Sequence, residues 1–369
     1  MTDKVRFVIV GSGWRSLYYA RIAKALPERF ELCAMLCRTE EKAQRIALEY
    51  GIHTTVSEDE CMACRPDLVV IAVTKKDVAS VAMKWLERGF CVLSETPAAL
   101  DMPALEKLWE LHLSGGKLVV CEQYRNYPVY GALISLAGSG IIGDPYCLNI
   151  SLAHEYHGAS LMRALLNLNE QEPFTVRAKN YTFPTVETLS RYEEFHDGRI
   201  ARKTRTAATF EFANGKTAFY DFDSDQYRSP IRRNYVKVRG ERGEIENSTV
   251  RYLDGTFHAA ESIMDIRERE VVTQYGNPNL HCIREVQDIV FEGRSLYTPP
   301  FGLCGLAQDE TAMAIMMQGA AAYGKGNAPS PYPLEYALQD AYTGMLLLQA
   351  AETEKEVASG PCVWTSETR

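Results

Sequence analysis

Short apolar runs alternate, along the first third of the chain, with segments whose apolar positions recur at helical spacing. The runs "VRFVIV" (5–10), "FELCAML" (30–36), "PDLVVIAV" (66–73), "FCVLS" (90–94) and "KLVVC" (117–121) predict buried strands. Between them, helices are predicted from the glycine-rich "GSG" to Ala25, across "TEEKAQRIALEYG", and over 76–88 and 101–114. Thr39 opens the second of these and Gly51 closes it, with Glu40 and Glu41 suited to the positive end of the helix. Continuously apolar strands that alternate with helices predict a parallel sheet covered on both faces. Ligands of such sheets lie beyond the carboxyl ends of the strands.

The pattern then changes period. "YCLNISLAH" (146–154), "TRTAATFEFA" (204–213), "TAFYDFD" (217–223) and "NYVKVRG" (234–240) alternate in steps of two, as half-buried strands do, with turns at Gly215 and Gly240. "RYEEFHDGRIARKTR" (191–205) reads as a solvated loop or hairpin edge, with a substrate lid as the alternative. Helices are predicted over roughly 279–291, 305–322 and 334–358, the last preceded by the connector "YGKGNAPSPYP". The change of period places a domain boundary after 122, giving domains of 1–122 and 123–369.

Composition narrows the function. A chain of 369 residues is too long for one ordinary core, and its 46% hydrophobic and 24% charged content are those of a globular protein. The net charge of −8 comes from interleaved acids and bases, so no basic field invites nucleic acid or an anionic membrane. Ten cysteines scattered through apolar runs suit reduced thiols, "MTDKVRFVIV" lacks signal-peptide anatomy, and no run is long enough for a bilayer. A cytoplasmic protein is therefore expected. Cys61-x-x-Cys64 and His154-x-x-His157 each lack further ligands, so no metal site is expected.

Directly after the first strand stands Gly11-Ser12-Gly13-Trp14-Arg15-Ser16. A tight turn at Gly11, close backbone approach at Gly13 and a helix N-terminus whose amides meet an anion together predict a dinucleotide pyrophosphate site. Ser16 replaces the usual third small residue and remains small enough for helix–strand packing. The end of the second strand reads Leu36-Cys37-Arg38-Thr39, without the acid that binds an adenosine ribose. Arg38 and Thr39 would instead suit a 2′-phosphate, which favours NADP and leaves NAD as the alternative. Carboxyl ends of the later strands add Val73, Thr74, Glu95, Thr96 and Gln123 as cofactor contacts.

With "DLVVIAVTKKDVASVAMKWLERGFCVLSETP" (67–97), "VVCEQYRNYPVYGALISLAGSGIIGDP" (119–145) and the turn Gly240-Glu241-Arg242-Gly243-Glu244-Ile245, the chain resembles the Gfo/Idh/MocA oxidoreductases. That group includes glucose–fructose oxidoreductase and inositol dehydrogenase. The resemblance implies an α/β Rossmann domain followed by an α+β domain with a large open, mainly antiparallel sheet. It implies hydride exchange between a nicotinamide and a sugar, polyol or related small molecule. It also implies a homodimer or homotetramer formed through the open sheet.

Two departures stand out. The family carries a lysine after the glutamate of Glu-Lys-Pro, where this chain has Thr96. A neutral hydroxyl does not supply the charge that stabilises a developing alkoxide. A second family motif, an acid and a histidine one turn apart, falls on "HGASLMRALLN" (157–167), where the two positions become Met162 and Leu166 or, shifted by one, Arg163 and Asn167. The nearby groups that titrate usefully are His154 and His157, with Tyr124 in the segment Glu122–Arg125. His157 or Tyr124 is therefore the expected acid–base residue, with His154 beside them and Arg125, Arg163 and Asn167 expected to bind substrate. Besides the oxidoreductase reading, the missing pair leaves open a redox-silent NAD(P)-binding regulator, or an enzyme that uses the cofactor to assist elimination or glycoside cleavage.

Overall fold

The computed structural model describes residues 4–190, 192–273 and 282–365. They form two compact units, one of residues 1–123 with 309–341 and the other of 124–308 with 342–369. The sequence reading assigned all of 123–369 to one domain. In the fold, 309–341 return to the first unit, because Glu310 pairs with Arg21 and Lys325 with Asp67.

In the first unit, strand β1 (Val5–Val10) leads into helix α1 (Trp14–Ala25), and β2 (Phe30–Leu36) into α2 (Glu40–Tyr50). A two-residue β3 (Thr54–Thr55) and short α3 (Glu58–Ala63) precede β4 (Leu68–Ile71), α4 (Val78–Glu87), β5 (Val92–Ser94), α5 (Met102–Leu113) and β6 (Leu118–Val120). The Thr39 hydroxyl caps α2, and Gly51 ends it at φ 66°. All six strands are parallel, in the order β3-β2-β1-β4-β5-β6. This is the doubly wound order, whose switch point lies at β1. Phe7, Val8, Ile9, Val69, Val70, Ile71 and Leu93 are wholly buried, which explains their unbroken apolar character.

The second unit begins with a 3₁₀ turn (Tyr124–Asn126) and α6 (Pro128–Gly138), then β7 (Pro145–Ser151) and α7 (Glu155–Leu165). A long hairpin of β8 (Phe174–Val186) and β9 (Ile200–Phe212) follows, then β10 (Thr217–Phe222), β11 (Tyr235–Gly240), β12 (Gly243–Glu246), β13 (Thr249–Leu253) and β14 (Ala259–Ile263). With β18 (Val357–Ala358) these build a nine-stranded sheet, antiparallel except where β10 meets β7. Its inner face (Leu148, Ile150, Phe210, Val236, Val238) packs with Leu133, Leu136, Leu161 and Met162 of α6 and α7. Its outer face leaves Tyr181, Phe183 and Phe219 exposed. A separate sheet joins β15 (Asp265–Val272), β16 (Cys282–Phe291) and β17 (Arg294–Tyr297).

Two assignments differ from expectation. The helix predicted over 279–291 is strand β16 where it is described, residues 279–281 lying outside the described residues. The final helix, α9 (Leu334–Thr353), stops before 358, and Val357–Ala358 pairs with β8 instead. The segment 191–205, read as a loop or hairpin edge, joins the β8–β9 hairpin from Ile200 onward, with Arg191 outside the described residues. The helix predicted over 305–322 is α8 (Gln308–Gly324). Among the described residues no helix is long and apolar enough to cross a membrane.

Candidate functional site

The turn after β1 is built by contact rather than by propensity. Gly11 has φ 115°, and a Cβ on it would stand 2.3 Å from the carbonyl oxygen of Ala72. Only glycine permits both the conformation and the closeness. Gly13, at the N-cap of α1, has ordinary extended angles, and a Cβ there would meet nothing within 4 Å. It therefore leaves room beside the first amides of α1, whose opening turn holds no acidic residue. An uncapped helix start over open space, at the switch point of a doubly wound sheet, fits a pyrophosphate. Ser16 faces inward, fully buried, its hydroxyl donating to the Ala72 carbonyl at 3.4 Å, so it serves packing rather than the cofactor.

Arg15 is equally committed. Its Nε donates to Glu95 Oε1 at 3.0 Å, and Nη1 lies 3.5 Å from Asp309. The Gln123 side chain fits between the Cys121 carbonyl and Arg15, its oxygen accepting from Arg15 Nη2 at 2.8 Å. Tyr19 donates to the same Glu95 oxygen. Burial opposes charge on Arg15, but Glu95, Tyr19 and Asp309 outweigh it and hold the guanidinium well above its ordinary range. Burial in turn raises the Asp309 carboxyl, against the pull of Arg15. Arg15, Glu95 and Gln123, expected as cofactor contacts, thus form an internal lattice that ties the start of α1 to the end of β5. Thr96 follows Glu95, joined to Pro97 by a cis peptide bond.

At the other side of β1, Arg38 is largely exposed and pairs with Asp77 at 3.8 Å, while Asp77 accepts from the Thr74 hydroxyl at 2.6 Å. Val73 lies against Gly11. The Thr39 oxygen accepts from the Lys42 amide at 3.3 Å, so its first duty is to cap α2.

In the second unit the structure gathers Tyr124, His154 and His157. The His157 ring lies 4.3 Å from that of Tyr124, 4.6 Å from Tyr156 and 4.9 Å from His154, centroid to centroid. His154 Nε2 is 2.8 Å from the Tyr156 hydroxyl, and Nδ1 meets the Tyr227 hydroxyl. Tyr127 and Tyr130 stack beside Tyr124. Tyr124 was one of the two residues expected to move the proton. Instead burial, then Tyr127 and Tyr227, push its phenol well above the ordinary range, so it is held neutral.

Of the residues expected to bind substrate, Arg163 is buried on α7 and Arg125 is half-buried in the 3₁₀ turn. Asn167 is exposed just past α7 at φ 52°, the left-handed position that ends helices, which accounts for its identity. It stands ten residues beyond His157, about 15 Å along the chain direction of that helix. Among the described residues no group of three or more histidine, cysteine or acidic side chains is placed to hold a metal. Sequence reasoning missed Asp77, Asp309, Tyr156 and Tyr227. Tyr156 lay in plain view between the two histidines, whereas Tyr227 carries no local signal.

Residues 5–123 match the Gfo/Idh/MocA family, described as an oxidoreductase family with an NAD-binding Rossmann fold. Among curated proteins none matches the chain. Of solved structures, scyllo-inositol dehydrogenase from Lactobacillus casei is 16% identical, covering 96% of this chain and 98% of its own, with a TM-score of 0.63. The WlbA dehydrogenase from Bordetella pertussis, solved with NADH and UDP-GlcNAcA, is 14% identical over 98% of this chain and 99% of its own, with a TM-score of 0.63. An NAD-binding oxidoreductase from Klebsiella pneumoniae is 16% identical over 96% of this chain and 99% of its own, at 0.65. At such identities the likeness is one of fold.

Proposed function

We propose that the protein, whose residues 5–123 match this NAD-binding oxidoreductase family, is a nicotinamide-dependent oxidoreductase acting on the alcohol or carbonyl of a sugar, polyol or related small molecule. The observation that carries this reading is the uncapped start of α1, opened by Gly11 and Gly13 at the switch point of the sheet. The bound nicotinamide supplies or accepts the hydride. The chain's own residues do the rest. The first amides of α1 hold the pyrophosphate, and Arg15 locks that helix start through Glu95 and Asp309. Proton transfer is assigned to His157, with His154 beside it, because imidazole titrates near neutrality. Tyr124, with its phenol held neutral, serves as a hydrogen-bond donor.

Calorimetry with NAD and NADP, followed by reduced-nicotinamide absorbance across a panel of ketosugars and polyols, tests the proposal. Binding with substrate-dependent turnover, lost in His157→Ala, is the expected result. Binding without turnover anywhere in the panel would favour a nucleotide-binding regulator, and full turnover in His157→Ala would remove His157 from the chemistry.

A further inference from the structure

We propose that Asp77 is the ribose-binding acid of this site and makes NAD, rather than NADP, its preferred dinucleotide. The inference rests on the function proposed above. Ordinarily a carboxylate at the end of the second long strand binds the adenosine ribose, and here that place holds Arg38 and Thr39. The fold supplies the missing acid from elsewhere. Val10, the last residue of β1, pairs with Leu36 on one side and Ile71 on the other. The segments leaving β2 and β4 therefore flank the turn at Gly11–Gly13. From one comes Arg38 and from the other Asp77, and their side chains meet at 3.8 Å.

The local geometry of Asp77 supports a ligand role. Asp77 directly precedes α4 with helical angles (φ −102°, ψ −13°) rather than the extended ones of a capping residue, and its side chain accepts no bond from the amides of that helix. The carboxylate is turned away and steadied by the Thr74 hydroxyl at 2.6 Å, within a tight turn closed by the Asp77 amide on the Thr74 carbonyl at 2.9 Å. A carboxylate so placed accepts from a ribose hydroxyl. Against a 2′-phosphate it has two adverse effects: it repels the phosphate directly, and it neutralises the guanidinium that would otherwise bind it. Arg38 alone reads as an NADP residue, whereas Arg38 beside Asp77 reads as a ribose clamp.

The test is calorimetric titration of the full-length protein with NAD and with NADP, for wild type, Asp77→Asn, Arg38→Ala and the double variant. Thermal unfolding checks that each variant is folded. Wild type is expected to bind NAD the more tightly, and Asp77→Asn to shift the affinity ratio toward NADP by about tenfold, a modest effect because the pair is solvent-exposed. Arg38→Ala added to Asp77→Asn is expected to abolish that shift. A wild type that prefers NADP, or a ratio unmoved by Asp77→Asn while binding persists, overturns the role of Asp77 alone. Failure of wild type to bind either dinucleotide overturns the proposed function and this inference with it.

Discussion

Gly11 and Gly13 lie two residues apart and are glycine for different reasons, so substitution separates folding from binding. At Gly11 a side chain would meet the Ala72 carbonyl at 2.3 Å in a backbone held at φ 115°. Gly11→Ala is expected to cost about 2–4 kcal/mol of stability, measured by urea unfolding, because neither the backbone angle nor the carbonyl can yield. Gly13 has no such neighbour and an ordinary conformation. Gly13→Val is expected to leave the midpoint of thermal unfolding within about 2 °C while weakening dinucleotide binding tenfold or more, since the new side chain fills the space before the helix amides. Equal losses of stability in the two variants would mean that Gly13 is structural. These glycines were legible in the sequence because their requirement is local: a turn after a strand and before a helix. Arg15 was not, since its neighbours in sequence are silent about Glu95 and Asp309, which lie 80 and 294 residues away. The same limit hid Asp77, whose partner Arg38 lies 39 residues away.

At the scale of elements, the misread segment is instructive. In "CIREVQDIVF" the apolar residues Ile283, Val286 and Ile289 recur every third position, which reads as a helix. The strand β16 carries a bulge: Arg267 pairs with Asp288 and Glu268 with Val286, leaving Gln287 extra. The inserted residue makes the step from Val286 to Ile289 three instead of two, whereas Ile283 and Val286, in unbroken register, lie on opposite faces of the strand, and sequence alone shows neither. Strand β10, whose register with β7 and β9 is unbroken, matched expectation to within a residue. Helix α8 presents a different difficulty. Its pattern foretold a helix, but it is buried on most sides, from Ala312 and Met313 to Ala320 and Ala321, so periodicity did not say which core receives it. The ion pair of Arg21 with Glu310, at 2.6 Å and almost wholly buried, fixes that choice. Removing one partner leaves a buried charge, so Glu310→Ala is expected to cost about 3–5 kcal/mol. The double change Arg21→Met with Glu310→Leu is expected to cost well under the sum of the single changes, because it leaves no uncompensated charge. Additive losses in a double-mutant cycle would show that the pair is not what secures the helix.

Across the whole molecule, the burial of weakly acidic groups sets a pH limit that composition alone hinted at. None of the ten cysteines is in a disulfide. Two of them, Cys61 and Cys91, are pushed up to about 12 from an ordinary value of 9.0, chiefly by burial. Tyr18 is likewise raised from 10.0 to about 12, by burial and then by Asp309. The sequence showed apolar surroundings for the thiols, hence their burial, but Tyr18 depends on Asp309 from a remote segment and was not legible. In each case the folded chain holds the proton more tightly than the unfolded chain does. Stability from these groups is therefore complete below the unfolded values, near pH 9 for the thiols and pH 10 for the phenol, and is lost as the pH climbs toward 12. Tyr18 alone accounts for about 2–3 kcal/mol over that interval. Urea midpoints measured at steps from pH 8 to pH 11.5 under reducing conditions are expected to hold steady at first and then fall, and Tyr18→Phe is expected to flatten part of the decline. A profile that stays level to pH 11.5 would mean that solvent reaches these groups, and with it that the packing between α1 and Asp309 is looser than the lattice around Arg15 requires.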